Sequence, residues 1–257
     1  MACLRAVRGW GYGPALRYSG GVDTSIAELQ AVFEGMRAAY LRQPMPPAEV
    51  RERRLRALLE LVETHEEELA SAIAADFGNR VRFETEMAGV ITSVSEIKHT
   101  LRNLRRWMRP KRVSTPLYLF PARARIERQP VGVVGIIAPW NYPMFLSIPP
   151  ATGALAAGNR VLLKPSELTP KFGELLQKLV EARFAADEFR VVLGGRELGE
   201  ALTHLPLNHL FFTGSTTVGR AVAQAAARNL TPVTLELGGK SPAIIGSRGE
   251  MRAYFMR

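Results

Sequence analysis

Two turns of small residues near the carboxyl end of the chain carry the residue types best suited to chemistry. Residues 211–242 predict a strand, a turn at 213–216, an Ala-rich helix that Ser215 or Thr216 can cap, and a second strand containing Glu236. A turn of this kind exposes backbone N–H groups at the positive end of a helix, which suits a phosphate. Glu236, set between leucines, suits either a general base or a salt-bridged structural carboxylate.

A nucleoside-triphosphate site is not expected at this turn. Gly214 and Gly219 have P-loop spacing, but Arg220 replaces the lysine that reaches the terminal phosphates. Ala221 replaces the hydroxyl residue that holds magnesium. The dinucleotide fingerprint G-x-G-x-x-G is not met either. Spacing alone leaves open whether the turn binds an anion or only begins a helix.

Four short segments together resemble the aldehyde dehydrogenase family. They follow one another in the family's order: APWNYP at 138–143, LKPSE at 163–167, FTGSTTVGR at 212–220 and LELGGKSP at 235–242. The pattern is most similar to the branch that acts on fatty and aromatic aldehydes, which includes coniferyl-aldehyde dehydrogenases. The resemblance extends over residues 23–246 and matches about the first half of a family member.

This resemblance implies oxidation of an aldehyde to a carboxylate, with NAD, or NADP as the alternative, as hydride acceptor. In the family a thiolate attacks the carbonyl, hydride leaves to the nicotinamide, and water cleaves the thioester. The matching motifs assign the oxyanion donor to Asn141 and activation of the water to Glu236. From the residues alone, Asn141 also suits a turn before Pro143.

The resemblance also assigns residues to the cofactor. Lys164 and Glu167 would hold the adenosine ribose, and the charge of Glu167 favours NAD because it repels a 2′-phosphate. The residues alone equally suit an exposed lysine and a glutamate at a helix start. The expected contacts to the diphosphate are Gly214, Ser215, Val218 and Gly219. The expected lining of the nicotinamide end is Trp140, Leu237 and Gly238.

The nucleophile expected from the resemblance is a cysteine well beyond Glu236. The 257 residues contain one cysteine, Cys3, which lies in the wrong half of the chain. Residues 247–257 follow no family pattern, and a frameshift, an early stop or a natural short form would each account for them. We therefore expect an inactive fragment of an aldehyde dehydrogenase. The alternative is a non-catalytic dinucleotide-binding or regulatory module.

Composition argues against several other classes. The formal net charge is +10, but the basic residues are scattered, and the dense groups at 51–56 and 102–112 are typical of solvated helix faces. Nucleic-acid binding is therefore not expected. No apolar run reaches the roughly 18 residues of a membrane span. The single cysteine fits a reducing compartment, the cytoplasm, and the four histidines show no metal-ligand spacing, so no metal site is predicted.

The elements that must position these residues divide the chain into five parts. The predicted parts are a loose leader at 1–22, N-terminal helices of the cofactor domain at 23–110, an extended or hairpin element at 111–130, a Rossmann-like part at 131–246 and an aberrant tail at 247–257. The resemblance implies that the hairpin serves oligomerisation, and that a complete family member is a homodimer. Three helices are expected before residue 110: one capped by Asp23 or Thr24, one from Pro47 to Gly78 and one over 80–108.

From residue 131 onward, apolar strands alternate with helices, which predicts an α/β fold with a doubly wound parallel sheet, incomplete at its carboxyl end. Strands are expected at 131–138, 160–163, 191–193, 209–212 and 233–237, and a small-residue helix at 143–157. The carboxyl ends of parallel strands share one edge. That edge should collect Asn141, Lys164, Gly194, Gly214 and Glu236.

Overall fold

A computed structural model describes residues 23–78, 80–239 and 241–242. The predicted leader, the tail and residues 243–246 of the predicted Rossmann-like part lie outside these ranges. The amino-terminal elements are α1 (Ile26–Arg42), α2 (Ala48–Thr64), α3 (Glu66–Phe77), α4 (Arg82–Thr85), a π-helical segment (Glu86–Ile91), α5 (Thr92–Met108), β1 (Lys111–Val113) and β2 (Ala124–Ile126). The later elements are β3 (Val133–Ile137), α6 (Ile148–Ala156), β4 (Arg160–Lys164), α7 (Pro170–Glu181), β5 (Phe189–Val191), α8 (Arg196–Thr203), β6 (His209–Gly214), α9 (Thr216–Ala227) and β7 (Val233–Leu237).

The five strands from β3 to β7 form one parallel sheet in the order β5-β4-β3-β6-β7. Successive residues of a strand point to opposite faces, so a strand covered on both sides must be apolar throughout. In β3, Val134 and Ile136 pack with residues of α2, α3, α5, α6 and α7. Val133 packs on the other face with residues of α1, α8 and α9. The sheet is therefore doubly wound, which confirms the predicted fold class.

The first helix has a different cap from the expected ones. Ser25, rather than Asp23 or Thr24, is the N-cap of α1, and its hydroxyl accepts a hydrogen bond from the Glu28 N–H at 3.1 Å. Thr24 instead bonds across the fold: its N–H donates to the Leu193 carbonyl, and its hydroxyl accepts from the Leu193 N–H. The cap position thus depended on which hydroxyl the tertiary structure left free.

The expected single helix from Pro47 to Gly78 is two helices. His65 leaves helical geometry, with φ −113° and ψ 24°, and separates α2 from α3. Three glutamates begin α3, where the positive end of the new helix favours acidic side chains. The break lets α3 run to α7, where the Asp76 carboxylate accepts hydrogen bonds from the Lys171 and Phe172 N–H groups at 3.0 Å. Apolar periodicity missed this break because both helices continue the same pattern.

The expected helix over 80–108 is also not uniform, since the π-helical segment separates α4 from α5. A π turn takes up an extra residue and so shifts the phase of the side chains that surround it. Of four apolar residues in or near this segment, Met87 and Ile91 are 46% and 52% exposed, whereas Val90 and Ile97 are buried. Two further elements differ in extent, since residues 143–147 form turns before α6 and the third sheet strand is β5 at Phe189–Val191.

The expected solvated arginine face at 51–56 is wrong for two of its members. Arg51 and Arg54 are only 3% and 2% exposed. Arg51 donates to the carbonyls of Ala156 and Ala157, which are orphaned acceptors at the end of α6. Arg54 donates to the Glu188 carboxylate at 3.1 Å. Burial lowers the pKa of Arg51, whereas for Glu188 the effect of burial is outweighed by Arg53 and Arg54, which hold its pKa below the usual range.

The segment predicted as extended or a hairpin contains the antiparallel pair β1–β2, in which Arg112 lies opposite Arg125. A 3-10 turn at Leu117–Leu119 lies between the two strands. Leu117, Tyr118 and Phe120 are more than four-fifths exposed. The hairpin therefore presents large apolar side chains to solvent in the isolated chain.

Candidate functional site

The carboxyl ends of four strands bring the predicted site residues to one edge of the sheet. Ile137 pairs in register with Lys164 on one side and with Phe212 on the other, and Gly214 pairs with Leu237. The residues that follow β3, β4, β6 and β7 therefore share this edge. The chain runs outward from β3 in both directions, so the β3–β6 boundary is the point where strand order reverses and ligands of such folds bind.

The turn after β3 contains Trp140 and Asn141. Asn141 is exposed, and its side-chain amide makes no hydrogen bond to any part of the chain that the structure describes. Its main-chain carbonyl accepts a hydrogen bond from Arg80, and the rings of Trp140 and Phe77 lie 6.0 Å apart. The turn is thus held by its backbone and its neighbours, while the Asn141 amide remains available to a ligand.

Lys164 and Glu167 form an ion pair at the end of β4. The Lys164 Nζ donates to the Glu167 Oε2 at 3.0 Å and to the Pro165 carbonyl at 3.2 Å, and the lysine is only 3% exposed. An ammonium group has three donors, so one N–H is left for a ligand hydroxyl. The alternative prediction, that Lys164 is an exposed surface lysine, is therefore wrong. Glu167 remains partly accessible beside it.

The turn from β6 to α9 has the geometry of a capped helix start. The Ser215 hydroxyl accepts a hydrogen bond from the Val218 N–H at 3.3 Å, which confirms one of the two predicted caps. A Cβ at Gly219 would lie 2.6 Å from the Leu237 Cδ2, so glycine allows α9 to approach β7 closely. The positive end of the 12-residue α9 therefore opens at the sheet edge beside Leu237.

Glu236 and its neighbours lie on β7, the outermost of the five described strands on that side. Glu236, Leu237 and Gly238 are all exposed, and Glu236 makes no ion pair within the described ranges. The sequence pattern had suggested a strand buried on both faces, in which a carboxylate needs a partner. Among the described strands β7 has a neighbour on one side only, which leaves Glu236 exposed in this part of the structure.

Two residues of this edge were missed by sequence reasoning. Arg80 approaches Asn141 from the connection between α3 and α4, 61 positions away in the chain, and no local pattern marks it. Thr213 pairs in register with Glu236, and its hydroxyl is buried without a hydrogen-bond partner in the described structure. An unpaired buried hydroxyl is uncommon in native proteins and can bond to a bound ligand or water. Thr213 lies inside the FTGSTTVGR segment, so that motif was the available signal.

The described residues include no group of three or more histidine, cysteine or carboxylate side chains placed to hold a metal ion. Nor does any helix within these ranges combine the length and apolar character needed to cross a membrane.

The curated proteins that this chain resembles include several aldehyde dehydrogenases. A probable coniferyl aldehyde dehydrogenase of Pseudomonas aeruginosa is 50% identical over 227 residues, which are 88% of this chain and 48% of that protein. The 4,4'-diaponeurosporen-aldehyde dehydrogenase of Staphylococcus aureus is 39% identical and matches 87% of this chain and 49% of its own length. The chain spans about half the length of these curated relatives.

Solved structures give the same result. The substrate-bound AldH of Staphylococcus aureus superposes with a TM-score of 0.80 and 39% identity, over 83% of this chain and 46% of that one. A Mycobacterium tuberculosis aldehyde dehydrogenase complexed with NAD+ superposes with a TM-score of 0.75 and 32% identity, over 85% and 45% of the two chains.

The family profile extends over nearly the whole sequence, including all the elements that form the sheet edge. Residues 22–255 match it, so the match continues past residue 246, where the resemblance was expected to end. The four motifs at that edge lie within this range. The chain therefore belongs to the aldehyde dehydrogenase family.

Proposed function

We propose that this chain forms the cofactor-binding half of an enzyme that oxidises an aldehyde to a carboxylate with NAD+. The observation that supports this most directly is the shared sheet edge, where Asn141, Lys164, Ser215 and Glu236 follow or end four neighbouring parallel strands. These side chains include an amide donor, a buried ammonium group, a helix cap and an unpaired carboxylate. Together they suit a nucleotide with a carbonyl substrate beside it.

The cofactor is proposed to lie along this edge with its diphosphate at the start of α9. Its proposed contacts are Gly214, Ser215, Val218 and Gly219, and the positive end of the helix attracts phosphate oxygens. The free N–H of Lys164 and the carboxylate of Glu167 suit ribose hydroxyls, and the charge of Glu167 disfavours the 2′-phosphate of NADP. Trp140, Leu237 and Gly238 supply an exposed surface for the nicotinamide. The NAD+ complex of the Mycobacterium tuberculosis neighbour supports this cofactor.

In the proposed reaction, residues of this chain act on the aldehyde oxygen and on water. The amide of Asn141 donates a hydrogen bond to the oxygen as it becomes an oxyanion. The carboxylate of Glu236 accepts a proton from the water that cleaves the thioester. Bound NAD+ supplies the hydride acceptor. The names of the relatives favour an aromatic or long unsaturated aldehyde as substrate.

The thiolate that such a reaction requires has no candidate among the described residues of this edge. The 257 residues contain only Cys3, which lies outside the described ranges. We therefore expect that these 257 residues, assayed alone with NAD+ and coniferaldehyde, form no NADH. This observation also favours a second candidate function, a non-catalytic module that binds the dinucleotide. NADH production by the purified chain would contradict both expectations.

Calorimetric titration of the purified chain with NAD+ and with NADP+ tests the cofactor proposal. Saturable binding of NAD+, weaker for NADP+, is the expected result. A Glu167→Gln variant should narrow the difference between the two cofactors because it removes the repelling charge. Glu197→Gln, an exposed glutamate on α8, is the matched control. A lack of saturable binding to either nucleotide would refute the proposed cofactor site.

The remaining partners are proposed from chemistry. The apolar side chains of Leu117, Tyr118 and Phe120 on the hairpin favour a homodimer interface in the complete protein. Light scattering should show fewer dimers when Leu117→Ser and Phe120→Ser are combined.

Nucleic acid is not an expected partner, so binding to duplex or single-stranded DNA should show no steep salt dependence. A cytoplasmic location is proposed from the single cysteine, and imaging of a tagged chain tests it.

A further inference from the structure

We propose that Arg80 is a positioning residue that holds the Asn141 turn in place, an inference that rests on the role proposed above for the Asn141 amide. Arg80 lies in the connection between α3 and α4. Its Nη1 donates a hydrogen bond to the main-chain carbonyl of Asn141. The side chain of Arg80 is 5% exposed, and its bond to the turn is charge-assisted.

The guanidinium of Arg80 also contacts two aromatic rings. Its central carbon lies 4.7 Å from the ring centroid of Phe77, at the end of α3, and 4.7 Å from that of Tyr142. Both distances are within the range of cation–π attraction. Tyr142 directly follows Asn141, so Arg80 contacts the turn at two successive residues, through a carbonyl and through a ring.

A third contact ties the same turn to the same helix end. The rings of Trp140 and Phe77 are 6.0 Å apart, so Phe77 contacts Trp140 as well as Arg80. Residues 140, 141 and 142 are therefore each held from the α3–α4 connection. The Nη2 of Arg80 donates to Glu84 at 2.9 Å, a further contact that helps to orient the planar group.

This arrangement matters because no hydrogen bond within the described structure holds the Asn141 side chain itself. Its amide makes no hydrogen bond to the described residues, and it is exposed at the sheet edge. The position of the amide is therefore set by the backbone that carries it. Groups that stabilise a developing charge must be placed before the reaction, and small displacements weaken them strongly. Arg80 supplies this placement without contacting the substrate.

The residue type is part of the inference. A planar guanidinium can stack on two rings while it donates in its own plane to a carbonyl and a carboxylate. A lysine ammonium carries the same charge but lacks the plane and the fork. Arg80→Lys should therefore keep the charge and lose most of the positioning, whereas a merely electrostatic role would be rescued by lysine.

The test is NMR spectroscopy of the isotope-labelled 257-residue chain and its Arg80→Lys and Arg80→Met variants. The signals to follow are the carbonyl carbon of Asn141 and its side-chain amide pair, assigned with Asn141→Ala. In the native chain the Arg80 N–H protons should be shifted by the ring currents of Phe77 and Tyr142. Both variants should move the Asn141 carbonyl signal, and the side-chain amide pair should lose its native position, with the larger loss in Arg80→Met.

Arg82→Met is the matched control, because Arg82 lies two positions away and its replacement likewise removes ion pairs with carboxylates, here those of Glu67 and Glu86. It should leave the Asn141 signals unchanged. The proposal is overturned if Arg80→Lys keeps the native Asn141 signals, or if Arg82→Met moves them equally. If Arg80→Met does not fold, the Asn141 signals of Arg80→Lys alone test the proposal.

Titration with NAD+ separates this inference from the proposed function. Arg80→Lys should bind NAD+ with the native affinity, within a factor of about two, because Arg80 contacts none of the proposed cofactor residues except through the turn. Failure of the native chain to bind NAD+ would refute the proposed function. The Asn141 signals would still test the contact between Arg80 and the Asn141 turn. Native NAD+ binding with unmoved Asn141 signals would refute only the role of Arg80.

Discussion

The ammonium group of Lys164 lies 3.0 Å from the carboxylate of Glu167, at the point where β4 reaches the edge of the sheet. Lys164 is buried and Glu167 is only partly so. The pair therefore fixes a buried cation with one donor unused beside the proposed ribose position. Such a preformed arrangement loses little side-chain freedom when a ligand binds.

Replacing Lys164 with methionine should weaken NAD+ binding while keeping the fold. Methionine fills the space of the lysine stem, and the unpaired Glu167 can still reach water. A hydrogen bond to a charged group contributes about 1.5–3 kcal/mol, so the dissociation constant should rise roughly 10- to 100-fold. Calorimetry measures this change. Lys178→Met, an exposed lysine on α7, should leave the affinity unchanged, and equal effects of the two substitutions would count against a direct role of Lys164.

Substitutions at Ser215 should separate helix capping from phosphate binding. Ser215→Ala removes the hydroxyl that accepts from Val218, so the free energy of unfolding should fall by about 1 kcal/mol and NAD+ should bind more weakly. Ser215→Asp keeps a good cap but places a negative charge at the proposed diphosphate position. It should retain stability and lose affinity.

Denaturant unfolding and NAD+ titration measure these two effects. Ser215→Thr, which keeps both the hydroxyl and the neutral charge, is the control and should change neither by much. If Ser215→Asp binds NAD+ as well as the native chain, the diphosphate does not lie at the start of α9.

Two glycine-to-alanine substitutions should have opposite effects on stability. A Cβ at Gly135, in the middle of β3, would lie 2.6 Å from the Leu207 Cδ1 and 3.2 Å from Leu202 and Leu210. These leucines are buried, so the added methyl group should cost about 1–3 kcal/mol. Gly153 in α6 has open space at the same position, and alanine there should stabilise by roughly 0.5–1 kcal/mol. Thermal unfolding of both variants measures the difference, and a stabilising Gly135→Ala would mean that β3 packs differently.

His209 should make the stability of the chain depend on pH. Burial lowers its pKa, and its Nε2 lies 2.9 Å from the Thr234 hydroxyl. Below the unfolded value of about 6.5, the unfolded chain binds a proton that the folded chain resists. Stability is therefore full above that pH and falls as the pH drops toward the folded pKa.

His209→Gln keeps a partner for Thr234 and removes the titration. Urea unfolding at about pH 7.5 and about pH 5.5 should show a smaller loss of stability in this variant than in the native chain. Other titrating groups, including Asp76, whose pKa is raised by burial, are present in both proteins, so their contribution to the pH dependence cancels when the variant is compared with the native chain. His204→Gln, at an exposed position, is the control and should lose as much stability between the two pH values as the native chain does. An unchanged pH dependence in His209→Gln would exclude His209 as its source.

Much of the fold followed from the apolar pattern after residue 131. In β4 the three central residues, Val161, Leu162 and Leu163, are buried and form a continuous apolar run, as expected of a strand covered on both faces, so its position could be predicted. The helices before residue 110 were predicted less well. The break at His65 and the π-helical segment before Thr92 change the direction or phase of a helix without interrupting its apolar residues, so periodicity does not reveal them.

By itself, the sequence determined the family, the doubly wound sheet and the edge at which Asn141, Lys164, Ser215 and Glu236 collect, because chain order and strand direction already decide where parallel strands end. Only the tertiary structure decided the partners of these residues. It paired Lys164 with Glu167, left Glu236 open at the last described strand, buried Arg51 and Arg54, and brought Arg80 to Asn141. Such contacts join side chains from separate elements, and their distances depend on how helices pack on the sheet, which no local pattern encodes.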